Sequence, residues 1–339
     1  MPDDISSTLP SCHGLLWGRR LGRAETLDAA QVEAAVAAGA PAEPLWLHFD
    51  LLDTRAHDFL QALSVLPPQA RDTLDERAEV AHLEAAGETV WGSLVDFHYE
   101  VSEEPCATQM GMLHMALTPN LLVTARRHPL RALRIAGHEP ATAGTPAAQW
   151  DQILRTVLDG IGRAIATLSE RLNSIEDRLL QDRPVARAEL AAARREVVLL
   201  FRRVEPSARL YADLAEQTPA WLERAGHDAG RAAARFDSAL RMIASLQERG
   251  RIAQDELAAR AAEETNRRLM VLSVLTTILL PPTLVTGIFG MNTTSLPGTS
   301  DPGGFWWALG AMALAAGVAV LVLVRLGLLD LGGRDQGGR

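Results

Sequence analysis

The chain has 339 residues, with 33 basic against 42 acidic side chains and a net charge of −9. Two ordinary domains fit that length, and the acidic excess lies before residue 269, which argues against a nucleic-acid partner and for a neighbourhood of metal cations. All the basic residues are Arg, and the only cysteines, Cys12 and Cys106, fit a reducing compartment better than a disulfide scaffold.

Residues 1–15 have neither a basic start nor a continuous apolar run, so no cleaved secretory signal is expected. Residues 45–50 (LWLHFD) alternate, and residues 89–100, 110–117 and 120–126 are similarly short, rich in β-formers or alternation, and bounded by Gly, Pro or Asn. All four read as strands. Over residues 55–84, Leu60, Leu63, Leu66 and Leu74 recur at helical spacing broken by Pro67 and Pro68, so helices cover at least one face of the sheet. An α/β domain over residues 1–145 follows. His48, His98 and His114 lie on predicted strands without metal-ligand spacing and read as structural histidines.

Residues 139–146 (EPATAGTP) form a linker by composition, after which no strand signal returns. Apolar residues three or four apart predict one helix over 150–180, and a second over 186–214 completes an antiparallel hairpin. A third helix starts near Asp228 and meets no proline before Pro281. Running to Phe289 it spans on the order of 90 Å. Such a helix needs packing partners, either other copies around an axis or its own hairpin. Residues 146–268 are thus the hairpin and a stalk.

Residues 269–289 and 305–325 are two apolar runs, each long enough for a hydrocarbon core about 30 Å thick. Residues 290–304 between them are rich in Gly, Pro, Thr and Ser and must sit in water at one membrane face. Arg267 and Arg268 precede the first span and Arg325, Arg334 and Arg339 follow the apolar run of the second, whereas the loop has no basic residue. Both termini, including the 326–339 tail, are therefore expected in the cytoplasm and the loop outside.

At the 3.5-residue repeat of a bundled helix, Asn266, Leu269, Ser273, Thr276, Leu280, Thr283, Gly287 and Gly290 share one stripe of the first span, extended outward by Met291 and Asn292. Small and hydroxyl-bearing residues between rings of Leu suit a narrow, partly wet pore, or else close packing of helices. Neither span holds His, Cys, Asp or Glu, so no first-shell metal site is expected in the membrane and an ion should pass with much of its water. Farther in, the stripe reaches Asp255 and Glu248, which either raise the local cation concentration or form a solvated helix face. Glu263 and Glu264 pair by spacing with Arg267 and Arg268. No phosphate loop or nucleophile–base pair suggests an enzyme.

The segment PPTLVTGIFGMN, residues 281–292, resembles the end of the first span in the CorA superfamily of divalent-cation transporters, whose signature is the Gly-Met-Asn at Gly290, Met291 and Asn292. LWLHFD, SVLPPQARDTL, EDRLLQDRP, and the loop with Pro297-Gly298 and Gly304-Phe305-Trp306 look like its zinc-transporting ZntB-like branch. The resemblance implies a funnel-shaped homopentamer in a bacterial inner membrane, without cofactor, taking up Zn²⁺ or other divalent cations. Protons drive that branch, whereas CorA proper moves Mg²⁺ or Co²⁺. The resemblance also puts Asn292 in an outer ring that meets the hydrated ion, with Thr283 and Asn266 facing the pore. Its acidic entrance is reduced here to Asp301. A membrane-anchored sensor that moves no ion is the remaining alternative.

Overall fold

The computed structural model describes residues 11–23, 25–37, 39–75, 80–99, 107–138, 144–291 and 303–327. It divides into two compact units, Met1–Gln254 and Asp255–Arg339.

The first unit begins with seven strands and four helices: β1 (Leu15–Arg20), β2 (Glu25–Leu27), α1 (Ala29–Ala37), β3 (Leu45–Asp50), α2 (Ala56–Ala62), α3 (Pro68–Asp75), β4 (His82–Ala86), β5 (Thr89–Phe97), β6 (Met110–Leu117), β7 (Leu121–Arg126) and α4 (Arg131–His138). The strands make one sheet in the order β2-β1-β3-β7-β6-β5-β4. All neighbours are antiparallel except β3 and β7, which run parallel with Leu45 opposite Leu121. Every residue of β5 and β6 is buried, as expected of strands covered on both faces. Leu47, Phe49, Val123 and Ala125 face Val32, Phe59, Leu60 and Leu74 from α1 to α3. The alternate residues, Trp46, His48 and Thr124, form a polar seam on the other side: Trp46 Nε1 donates to Thr124 Oγ1 at 2.9 Å, and His48 Nδ1 lies 2.9 Å from the same oxygen. Burial pushes His48 down to about 3, so the ring is neutral. His114 contacts Ser93 Oγ at 2.7 Å and is likewise held down to about 4. These are structural histidines.

The sequence reading differs from the structure at the sheet's edges. The helical pattern of residues 55–84 runs into β4, a short strand without a β-branched residue, paired so closely to β5 that a Cβ on Gly92 would lie 2.2 Å from the His82 carbonyl oxygen. β1 and β2 give no clear alternation either, since Gly18 and the arginines of LLWGRR break it.

Helices α5 (Pro146–Leu180) and α6 (Arg187–Glu216) form the antiparallel hairpin. Thr145 caps α5 by accepting from Ala148 N at 3.2 Å, and Pro146 fills the first helical position, where its missing N–H costs nothing. Asp182, with φ of 51°, turns the chain between them. The short α7 (Ala220–Arg224) leads to α8 (Ala229–Phe289), a helix of 61 residues that Asp228 starts by accepting from Arg231 N. Its first part makes a third helix against the hairpin. Trp150 Nε1 donates to the buried Tyr211 hydroxyl at 2.9 Å, Tyr211 stacks on Phe236 at 5.3 Å, and Arg249 holds Glu176 at 2.6 Å.

The second unit contains the rest of α8 and α9 (Gly304–Arg325), and both helices carry stretches long and apolar enough to cross a membrane. Large apolar side chains such as Leu272, Leu284, Leu314 and Leu321 are exposed along them, which water would not tolerate over such lengths.

Candidate ion path

Within the second unit, α8 is covered on one side only. Val274, Ile278, Pro281, Pro282 and Val285 are half-buried and, three or four residues apart, share a face. On α9 the covered face is Ala308, Met312, Ala315, Ala316, Ala319 and Leu323. Its alanines permit close approach of two apolar helices. Thr286 Oγ1 touches Met312 Sδ at 3.2 Å, which sets the lengthwise register of the pair.

The stripe expected from the 3.5-residue repeat lies on the other side of α8. Asn266, Leu269, Ser273, Thr276, Leu280, Thr283, Gly287 and Gly290 are all exposed, as is Met291. At 100° per residue the stripe's centre is roughly 160° around the helix from the covered face. Asn292 and Asp301 lie outside the described residues.

The threonine hydroxyls in the apolar stretch of this helix are oriented alike. Thr276 donates to Leu272 O and Thr283 to Leu279 O, both at 2.8 Å, and Thr277 and Thr286 do the same to Ser273 O and Pro282 O. A hydroxyl has one proton, so the Thr276 and Thr283 oxygens then offer only lone pairs outward, whereas Thr286 also has Met312 Sδ within donor reach. Waters bound to a cation point their hydrogens away from it, and acceptors are what they seek. Pro281 and Pro282 have no N–H, so the carbonyls of Thr277 and Ile278 also lose their helical donors. Sequence spacing identified the stripe but could not reveal these directions; a Thr with a carbonyl four residues earlier was the available signal.

The inner acids differ from one another. Glu248 is engaged by Arg251 at 2.6 Å, and that guanidinium holds its carboxyl below the usual range. Asp255 is exposed, and Glu264 pairs with Arg268 on the next turn. Among the described residues, no group of three or more His, Cys, Asp or Glu is arranged to hold a metal ion. Cys12 is buried, its thiol pushed up to about 12 by desolvation, and Cys106 lies outside the described residues.

A family model described as CorA-like Mg2+ transporter protein matches residues 41–325. The chain belongs to the CorA-like family. Members of that family are transporters rather than enzymes. The zinc transport protein ZntB of Yersinia enterocolitica is 25% identical to this CorA-like chain over 289 residues, covering 82% of it and 86% of the relative. The solved structure of the full-length CmaX protein, 25% identical, superimposes with a TM-score of 0.75 over 93% of this chain and 98% of its own. The CorA magnesium transporter from Methanocaldococcus jannaschii, 17% identical, has a TM-score of 0.73 over 92% and 98%, a likeness of fold. The CorA-like fold thus comprises the N-terminal α/β domain and the long helix α8, whose apolar C-terminal stretch and α9 are the two candidate spans.

Proposed function

We propose that this chain carries divalent cations across a bacterial inner membrane, with Zn²⁺ as its principal cargo, through a path lined by the first-span stripe. The single observation behind this reading is that the Thr276 and Thr283 oxygens, their protons committed to backbone carbonyls, occupy the side of α8 that α9 leaves uncovered. Five copies around one axis turn that side inward. Asn266, Ser273, Thr276 and Thr283 then bond to the ion's water, Leu269 and Leu280 narrow the path, and Gly287 and Gly290 let the helices approach. Met291 and Asn292 stand at the outer mouth. Residues 1–268 and the 326–339 tail lie in the cytoplasm, and residues 290–304 lie in the periplasm. Asp301 outside, and Asp255 and Glu248 inside, supply negative charge near the two ends.

Zinc as cargo is supported by the ZntB relatives, and Mg²⁺ by the family model's own description, which makes a Mg²⁺ or Co²⁺ channel the second reading. The test is flux into liposomes holding the purified protein, read separately for each metal, with and without a pH gradient. Zinc entry above Mg²⁺ and Co²⁺ entry supports the first reading, and the reverse order supports the second. No movement above empty vesicles refutes both and leaves a membrane-anchored sensor. Asn292→Ala is expected to weaken flux without changing assembly, and unchanged flux removes Asn292 from the path.

A further inference from the structure

Helix α9 opens with three consecutive aromatics. Trp306 and Trp307 are 70% and 81% exposed, and Phe305 meets Trp306 edge-on at a ring distance of 5.6 Å. The residue that follows, Ala308, is the first turned inward, so both indoles stand on sides of α9 that α8 does not cover. Side chains on a helix lean toward its N-terminus, here toward the loop. At the other end stands Arg325. Eighteen residues separate Trp307 from Arg325, a rise of about 27 Å, close to the thickness of a hydrocarbon core. An indole has an apolar body and one N–H to satisfy, and the boundary between acyl chains and headgroups provides for both. The lengths and the chemistry agree on one occupant.

We propose that Trp306 and Trp307 form a lipid-interface anchor that fixes the depth of the Gly290–Met291 end of the first span. The Thr286–Met312 contact supplies the ruler. Gly290 lies four residues past Thr286, about 6 Å along the axis, and the indoles lie five and six residues on the loop side of Met312, about 8–9 Å. The outer end of the stripe therefore stands level with the indoles, at headgroup depth.

This inference rests on the membrane reading, and its test separates the two. The full-length protein is reconstituted in phosphatidylcholine vesicles, recovered by flotation, and its tryptophan fluorescence is compared in lipids brominated near the headgroup or near the chain ends. The other five tryptophans do not interfere, since Trp46, Trp91, Trp150 and Trp221 are buried and Trp17 is half-buried in the first unit. The expected result is quenching at least roughly twofold stronger from the shallow bromines, abolished in W306F/W307F, since each bromine reaches only indoles at its own depth. Flotation with stronger deep quenching, or with none because the indoles pack on another copy, overturns the anchor alone. Failure to float overturns the membrane reading and the anchor with it.

Discussion

Among the described residues, Asp96 is the acid whose environment departs furthest from water. It is 1% exposed on β5, accepts from Phe97 N and Ala132 N at 2.8 Å, and faces the charge of Arg131. Burial outweighs those three and pushes it up to about 7 from an ordinary 3.8. The folded protein therefore keeps a proton that the unfolded chain releases, so this group's contribution is fully present below about pH 4 and declines as pH rises through 7. His48 and His114, held down to about 3 and 4, act in the opposite sense, so variant and parent must be compared at each pH. Asp96→Asn has no proton to lose but sets an amide N–H2 against one of the two backbone donors. Its thermal stability relative to the parent should rise as pH is raised from pH 5 to pH 8 in detergent, whatever the offset between the two at pH 5. A gap that stays constant with pH would clear Asp96. On α8 the parallel question concerns Thr283, whose hydroxyl proton is committed to Leu279 O. Thr283→Val keeps the shape and deletes the acceptor, and an approximately tenfold loss of divalent flux is expected, about 1.4 kcal/mol at the barrier. Thr283→Ser should retain most of the flux. Equal losses in both variants would point to packing. The stripe was legible because a 3.5-residue period shows in the sequence, whereas the role of Asp96 was not, because it depends on where α4 begins.

At the scale of elements, legibility followed burial. β3 and β6 were read with the bounds the structure has, and β7 to within a residue, because buried central strands are made of apolar and β-forming residues. β5 ends three residues earlier than its pattern, at Phe97, after which His98 forms an isolated bridge to Leu130. The edge strands β2 and β4, and β1 beside β2, have half-exposed or exposed positions and few β-formers, so pairing with their neighbours decides them. The long helices were plain from three- and four-residue spacing, but that spacing says nothing about which partner each face meets. The hairpin's answer is Tyr211, which joins Trp150 on α5, Phe236 on α8 and His227, itself 2.5 Å from Asp151. Tyr211→Phe preserves the ring stack and strands the Trp150 N–H. The expected cost is about 1–3 kcal/mol of stability, seen as a lower unfolding midpoint by urea titration. Trp150→Phe in addition should recover part of it, since no donor is then left unmet. A double variant as unstable as the sum of the two singles would show that the bond is not what couples the helices.

At the scale of the whole molecule the charges are divided. All nine units of net negative charge lie before residue 269, and residues 269–289 and 305–324 contain no ionisable side chain. The ZntB resemblance implies proton drive, but the spans offer no ionisable side chain on which a coupled proton could be bound and released. A divalent ion passing with its water needs no such group, because the membrane potential acts on it directly. Two charges crossing 100 mV exchange about 5 kcal/mol, enough for an accumulation of more than a thousandfold at equilibrium. Zinc entry into vesicles is therefore expected to follow an inside-negative potassium diffusion potential at equal pH on both sides. Imposing a pH gradient at zero potential should change the initial rate by less than about twofold, because the spans hold nothing that titrates. Entry that requires the pH gradient and ignores the potential would refute a passive path, and would place the proton-carrying groups among the titratable residues outside the two spans.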